Sequence, residues 1–125
     1  MTTVTVTQTS LKRRTLAVGL WTLQIASAAL FLFSGTLKLS GAPMMVQMFS
    51  AIGLGQWFRY FTGGLEVTSA VLLLVPSLAR FGALAMAVTM VGAILTHLFI
   101  IGGNPAVPIA LLAATTTVAW VRSRD

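Results

Sequence analysis

The sequence predicts an all-α integral membrane protein: a four-helix bundle with both termini inside the cell and a short interfacial helix between the first and second spans. Three observations carry this prediction. Of 125 residues, 57% are apolar and only 8% charged, against about 25% charged in soluble domains. The apolar residues fall into runs near the roughly 20 residues that a bilayer core requires. Most of the cations stand at the ends of those runs, where they anchor helices and meet anionic headgroups.

Met1 to Ser10 is polar and Thr-rich, expected to be disordered or interfacial. The first span is expected at Leu16–Leu37. Lys12–Arg13–Arg14 ahead of it resembles the start of a signal peptide, and Ala26–Ser27–Ala28 imitates a cleavage site. The run nevertheless exceeds a signal-peptide core of about 7–15 residues, so it reads as a retained helix. Between Ser40 and Trp57, Met44, Met45, Met48, Phe49 and Ile52 recur at helical spacing, with Gln47 and Ser50 on the other side. Such a segment lies in the interface or dips into the bundle, as a plain cover or as a lid over a lipid-derived ligand.

The second span is expected at Phe58–Val75, interrupted by Arg59 and Glu66. Pro76 ends it, and Ser77 is placed to cap the next helix. The third span runs Phe81–Ile101. Gly102–Gly103–Asn104 then forms a turn, and Pro105 occupies the first turn of the fourth span, Pro105–Val121, which rises only about 26 Å. Residues 1–125 thus form one transmembrane domain. With the N-terminus inside, Lys12, Arg13, Arg14, Arg80, Arg122 and Arg124 are cytoplasmic, while Lys38 and Arg59 are outside, in the direction of the positive-inside rule. The expected location is the cytoplasmic (inner) membrane of a bacterium.

Composition also excludes. A pI near 11.7 suggests nucleic acid, but the basic residues form no stripe with interleaved aromatics, so none is expected as a partner. Without cysteine there is no disulfide, iron–sulfur cluster or thiolate zinc site. One histidine and one internal carboxylate make no conventional metal site. Small residues such as Gly35, Gly63, Gly64, Gly82 and Gly92 suit close helix packing in lipid and permit a homo-oligomer.

Three intramembrane ionisable residues remain: Lys38, Glu66 and His97. Such groups are costly in lipid, so each needs a partner or a function. Lys38 ends the first span. Glu66 lies eight residues into the second, about 12 Å deep, and His97 lies about 6 Å from the outer end of the third. All three fall in the outer half of the membrane. Lys38 alone can snorkel to the headgroups, whereas Glu66 must pair, take a proton or line a wet cavity. Lys38 is its expected partner and Arg59 the rival. The pair is a candidate structural ion pair, and the trio a candidate ligand site. Alone, His97 reads as a packed histidine bonding a hydroxyl or carbonyl, with Met86, Met90 and Ala93 on its helical face.

At these residues the chain resembles the DoxX-like family of four-helix membrane proteins. The likeness is carried by Ser34–Gly35–Thr36–Leu37–Lys38–Leu39, Met44–Met45 to Phe49 with Ile52–Gly53, and Gly63–Gly64–Leu65–Glu66–Val67. Leu73–Leu74–Val75–Pro76, Met90–Val91–Gly92–Ala93 and Thr96–His97 continue it in order. The resemblance implies a compact four-helix bundle associated with redox or quinone-linked membrane processes. Members are similar to the small subunit of a thiosulfate:quinone oxidoreductase, and others are linked to oxidative-stress assemblies. The chain has no flavin motif or haem ligand pair, so electron transfer requires a bound quinone or a redox partner subunit.

Three functions follow: a quinone- or lipid-binding accessory subunit, an assembly scaffold without catalysis, and a proton-coupled small transporter. Small multidrug resistance transporters also have four helices, but carry their buried acid in the first helix, where this chain has none.

Overall fold

The computed structural model describes residues 2–124, with side chains at position 8 and from position 10 onward. The described residues form α1 (Thr2–Ser40), α2 (Pro43–Ile52), α3 (Trp57–Leu74), α4 (Ala79–Thr96), a π-helical turn at His97–Ile101, and α5 (Ala106–Arg122). Two stretches are long and apolar enough to cross a membrane, Ser10–Ser40 and Ala79–Ile101. Helices α3 and α5 are shorter, at 18 and 17 residues.

The four long helices form a ring. Helix α1 packs along α3, α3 along α4 and α4 along α5, which closes back on α1, while α2 lies against α3, α1 and the π turn. The core is Ala28, Phe31, Ala70, Leu73, Ala83, Met86, Met90 and Val118. Large apolar side chains also cover the outside, among them Phe33, Phe61, Val88 and Trp120. In lipid such a surface costs nothing, and helices associate through close packing rather than hydrophobic exclusion.

That packing is tightest at two crossings. A Cβ added to Gly82 would stand 2.6 Å from the backbone nitrogen of Leu73 and 2.8 Å from the Ser69 carbonyl, so α4 lies directly on the backbone of α3. Where α1 crosses α3, a Cβ on Gly35 would stand 2.9 Å from the Gly63 carbonyl, and one on Gly63 would stand 3.1 Å from the Gly35 carbonyl. Gly64 and Gly92 touch nothing comparable within 4 Å. Close packing therefore uses three of the five glycines that the sequence singled out.

Several expectations are corrected. Of the two expectations for the Thr-rich N-terminus, disorder does not hold: it is helical from Thr2, with Met1 outside the described residues, because nothing in it breaks the helix that continues into the apolar run. Helix α1 spans 39 residues, about 58 Å. Its side chains are exposed from Ser10 to Gly19, so packing begins near Leu20; its last buried side chain is Lys38, and the helix itself runs on to Ser40, past the expected end at Leu37. Helix α1 stops where Gly41 turns to φ 74°, and α2 stops likewise at Gly53 with φ 85°. These left-handed conformations suit glycine.

Ser77 does not cap α4. Leu78 holds that position, with no side-chain bond to the helix. Pro105 sits at the N-cap of α5 rather than inside its first turn, and the Ala106 N–H donates to Asn104 Oδ1 at 3.0 Å. The third run is not one α-helix either: it changes to π geometry at His97.

Candidate functional site

A cavity of about 630 Å³ opens at the α2 end of the bundle. Its walls come from α1 (Phe31, Phe33, Leu37), α3 (Phe58, Leu65), α4 (Met90, Ala93) and the start of α5 (Val107, Leu111), with Met45, Met48 and Phe49 of α2 across the top. Lys38, Glu66 and His97 all line it, together with the hydroxyl residues Ser34, Thr62, Thr89 and Thr96. Phe33 and Val88 border the cavity while remaining 67% and 65% exposed, so it opens sideways through the flanks of the bundle.

Lys38 and Glu66 meet inside. The ammonium lies 3.0 Å from Glu66 Oε1 and 3.3 Å from Oε2, with side-chain exposures of 10% and 4%. Ser34, one turn before Lys38, accepts a third contact at 2.6 Å. The local cause is the Gly35–Gly63 crossing, which brings α1 and α3 close enough for the lysine to reach down onto Glu66 without bridging water. The result is a paired cation held against the wall of an apolar cavity, in the form that buried charge tolerates.

His97 lines the same cavity but does not join the pair. Its Nδ1 lies 2.8 Å from the Ala93 carbonyl, one turn back along its own helix. The backbone changes to π winding at this residue. An inserted residue of this kind re-aims the side chains after it, and such turns recur at functional sites. The structure thus brings two of the three candidates into contact and places the third on another wall of the same cavity.

Arg59, the rival partner, does not pair with Glu66. It is buried, donates from Nη1 to the Lys38 carbonyl and from Nε to Gln56 Oε1 at 2.7 Å, and lies 4.3 Å from the centre of the Tyr60 ring. Gln56 continues the chain of bonds, donating to the Val46 carbonyl at 3.2 Å and to Ser50 Oγ at 3.1 Å, both on α2. The backbone of Lys38 is therefore tied to the helix that roofs the cavity. Sequence reasoning missed Gln56, whose signal was a lone amide at the start of an apolar run.

A second missed polar group lies at the other end of the bundle. Gln24 is fully buried, donates to the Leu73 carbonyl at 2.9 Å and accepts from Arg122 Nε at 2.8 Å. It joins α1, α3 and α5 below the cavity.

An all-helical ring with an apolar outside and inward-facing polar groups belongs to the class of small helical proteins built for lipid surroundings. The chain belongs to the DoxX-like family, whose family model matches residues 22–120. That range includes Lys38, Glu66, His97 and every segment that walls the cavity. No curated protein and no solved structure matches the chain.

Proposed function

We propose that the chain crosses the membrane four times, with both termini in the cytoplasm, and binds a quinone or similar lipid-derived ring as an accessory subunit of a quinone-linked redox process. The observation that carries this reading is the cavity: about 630 Å³, apolar on most walls, with a paired ammonium on one side and an imidazole on another. Small-molecule sites have this make-up, a volume of roughly 300–1,000 Å³ with a few fixed polar groups. A ring carbonyl needs a hydrogen-bond donor; the Lys38 ammonium has three, and giving up its longer, 3.3 Å contact to Glu66 Oε2 frees one for the ring while Ser34 and Glu66 Oε1 hold its position. His97 and Glu66 are the groups able to hold or move a proton at the ring. Bound there, a quinone supplies two-electron, two-proton redox chemistry, with electrons from a partner subunit. The sideways openings at Phe33 and Val88 suit a ligand that arrives through lipid.

Two measurements test this reading. Single cysteines at Gln8, Ser77 and Ser123 are expected to resist an impermeant reagent in intact cells, and one at Ser40 or Gln56 to react. Labelling at Ser77 but not at Gln56 inverts the topology. For the ligand, a soluble quinone analogue is expected to raise the melting temperature of the detergent-solubilised protein. Glu66→Gln and His97→Ala, each compared with its own ligand-free baseline, should lose that rise. Equal shifts in all three proteins, or none in the wild type, would leave the ion pair as a purely structural element.

A further inference from the structure

His97 is the one histidine of the chain, and its bond to Ala93 fixes more than the angle of its ring. The Ala93 carbonyl has no hydrogen to give, so Nδ1, 2.8 Å away, carries the proton and donates it. In the uncharged ring, Nε2 is then a bare lone pair, an acceptor. The other tautomer would set a bare Nδ1 against the carbonyl oxygen at the same distance, two lone pairs facing each other. The tautomer is therefore pinned by the helix that carries the ring.

The protein offers that acceptor no donor. Among the described residues no hydrogen bond reaches Nε2. Of the hydroxyls that α4 brings to the cavity, Thr89 donates to the Ala85 carbonyl and Thr96 to the Gly92 carbonyl, each at 2.8 Å, so both hydrogens are committed to their own helix. Glu66, the carboxylate of the cavity wall, is engaged by Lys38 and does not hold the imidazole as a cation. The cavity thus has two unlike polar walls. On α1 stands a donor, the Lys38 ammonium, and at the π turn stands an acceptor, the His97 imidazole.

We infer that the cavity selects the reduced, hydroxyl-bearing form of its ring: a quinol, with one hydroxyl oxygen accepting from Lys38 Nζ and the other hydroxyl donating to His97 Nε2. A quinone has a carbonyl at each position. One accepts from Lys38, but the other meets Nε2 lone pair against lone pair and leaves a polar group of the ring unpaired beside apolar walls. The difference between the two forms is the hydrogen that Nε2 lacks. The inference rests on reading the cavity as a ring site, and adds which redox state of the ring it holds more tightly.

A single histidine makes the tautomer directly readable. The whole chain in detergent, purified without a histidine tag and isotope-labelled in its imidazole, is followed by nitrogen NMR at mildly alkaline pH. In the free protein Nδ1 is expected to resonate as a protonated nitrogen and Nε2 as a bare one. Hydroquinone monomethyl ether should move Nε2 toward the hydrogen-bonded position, whereas the dimethyl ether, with no hydrogen to donate, should not. Titration calorimetry is expected to favour the monomethyl ether by about three- to tenfold, the worth of one net hydrogen bond. His97→Gln, whose amide reaches the place of Nε2, should keep part of that preference. His97→Asn, which reaches only the place of Nδ1, should lose it. A proton on Nε2 in the free protein, or a preference that survives His97→Asn, overturns the inference. Duroquinone separates it from the reading beneath it. If duroquinone binds as tightly as the monomethyl ether, the cavity takes rings without selecting the reduced form. If neither duroquinone nor either ether binds, the ring site itself falls, and this inference with it.

Discussion

Lys38→Met is expected to lower the unfolding free energy of the detergent-solubilised protein by about 3–5 kcal/mol, the cost of stranding a buried charge. The side chains of Lys38 and Glu66 are 10% and 4% exposed, so neither end of the pair has much water to fall back on. Without the ammonium, Glu66 has no other ion-pair partner among the described residues, and Arg59 is engaged with the Lys38 carbonyl and Gln56. Glu66→Gln should cost less. The amide oxygen still accepts from the ammonium, which also retains Ser34 at 2.6 Å. The double variant should recover much of the loss, since an apolar side chain facing a neutral amide leaves no charge unpaired. Denaturant or thermal unfolding of the four proteins closes the cycle. Additive losses would show that the two residues do not act on each other.

Helix positions were largely legible because hydrophobic run length and spacing are local properties. The short α2 emerged from the spacing of Met45 and Phe49, which are indeed its buried residues. What was not legible lay at the ends. The continuation of α1 through Thr2–Ser10 has no hydrophobic pattern to announce it. The capping serine expected at position 77 lost to Leu78, because the Pro76 turn ends one residue later than capping preference suggests. The π turn at His97 is invisible to periodicity, since one inserted residue shifts a helical face without changing composition.

Within the site, helix rise alone placed Lys38 and Glu66 at one level, although 28 positions separate them. The same arithmetic put His97 nearby but could not say which way its ring turns, and the ring bonds its own helix at Ala93. Arg59, Gln56 and Gln24 escaped for a common reason. Each finds a backbone carbonyl among its partners, and a carbonyl has no identity in sequence. The available signal was weaker: a long polar side chain inside an apolar run has to bond something.

Arg59→Met is expected to loosen the roof of the cavity as well as lower stability, by about 3 kcal/mol for two charge-assisted hydrogen bonds. Arg59 is 5% exposed and stands against the final turn of α1, where the helix dipole is negative and the last carbonyls lack helical partners. Its Nη1 serves the Lys38 carbonyl and lies 3.4 Å from where a Cβ on Gly41 would be, so the guanidinium fills the corner in which α1 turns toward α2. Its Nε holds Gln56, and Gln56 holds Val46 and Ser50 of α2. Methionine fills similar volume but leaves the Lys38 carbonyl only the long, 3.4 Å bond from the Gly41 N–H, and lets Gln56 rotate away. Arg59→Lys keeps the charge without the fork, so it should recover only part of the loss, one bond in place of two. The distinguishing measurement is amide hydrogen exchange. In Arg59→Met, exchange should accelerate across Pro43–Ile52 more than across α5, because α2 would lose its tie to α1 while the α4–α5 packing is untouched. An acceleration spread evenly over all five helices would show that Arg59 only stabilises the bundle as a whole, and that α2 is held by Met45 and Phe49 rather than through Gln56.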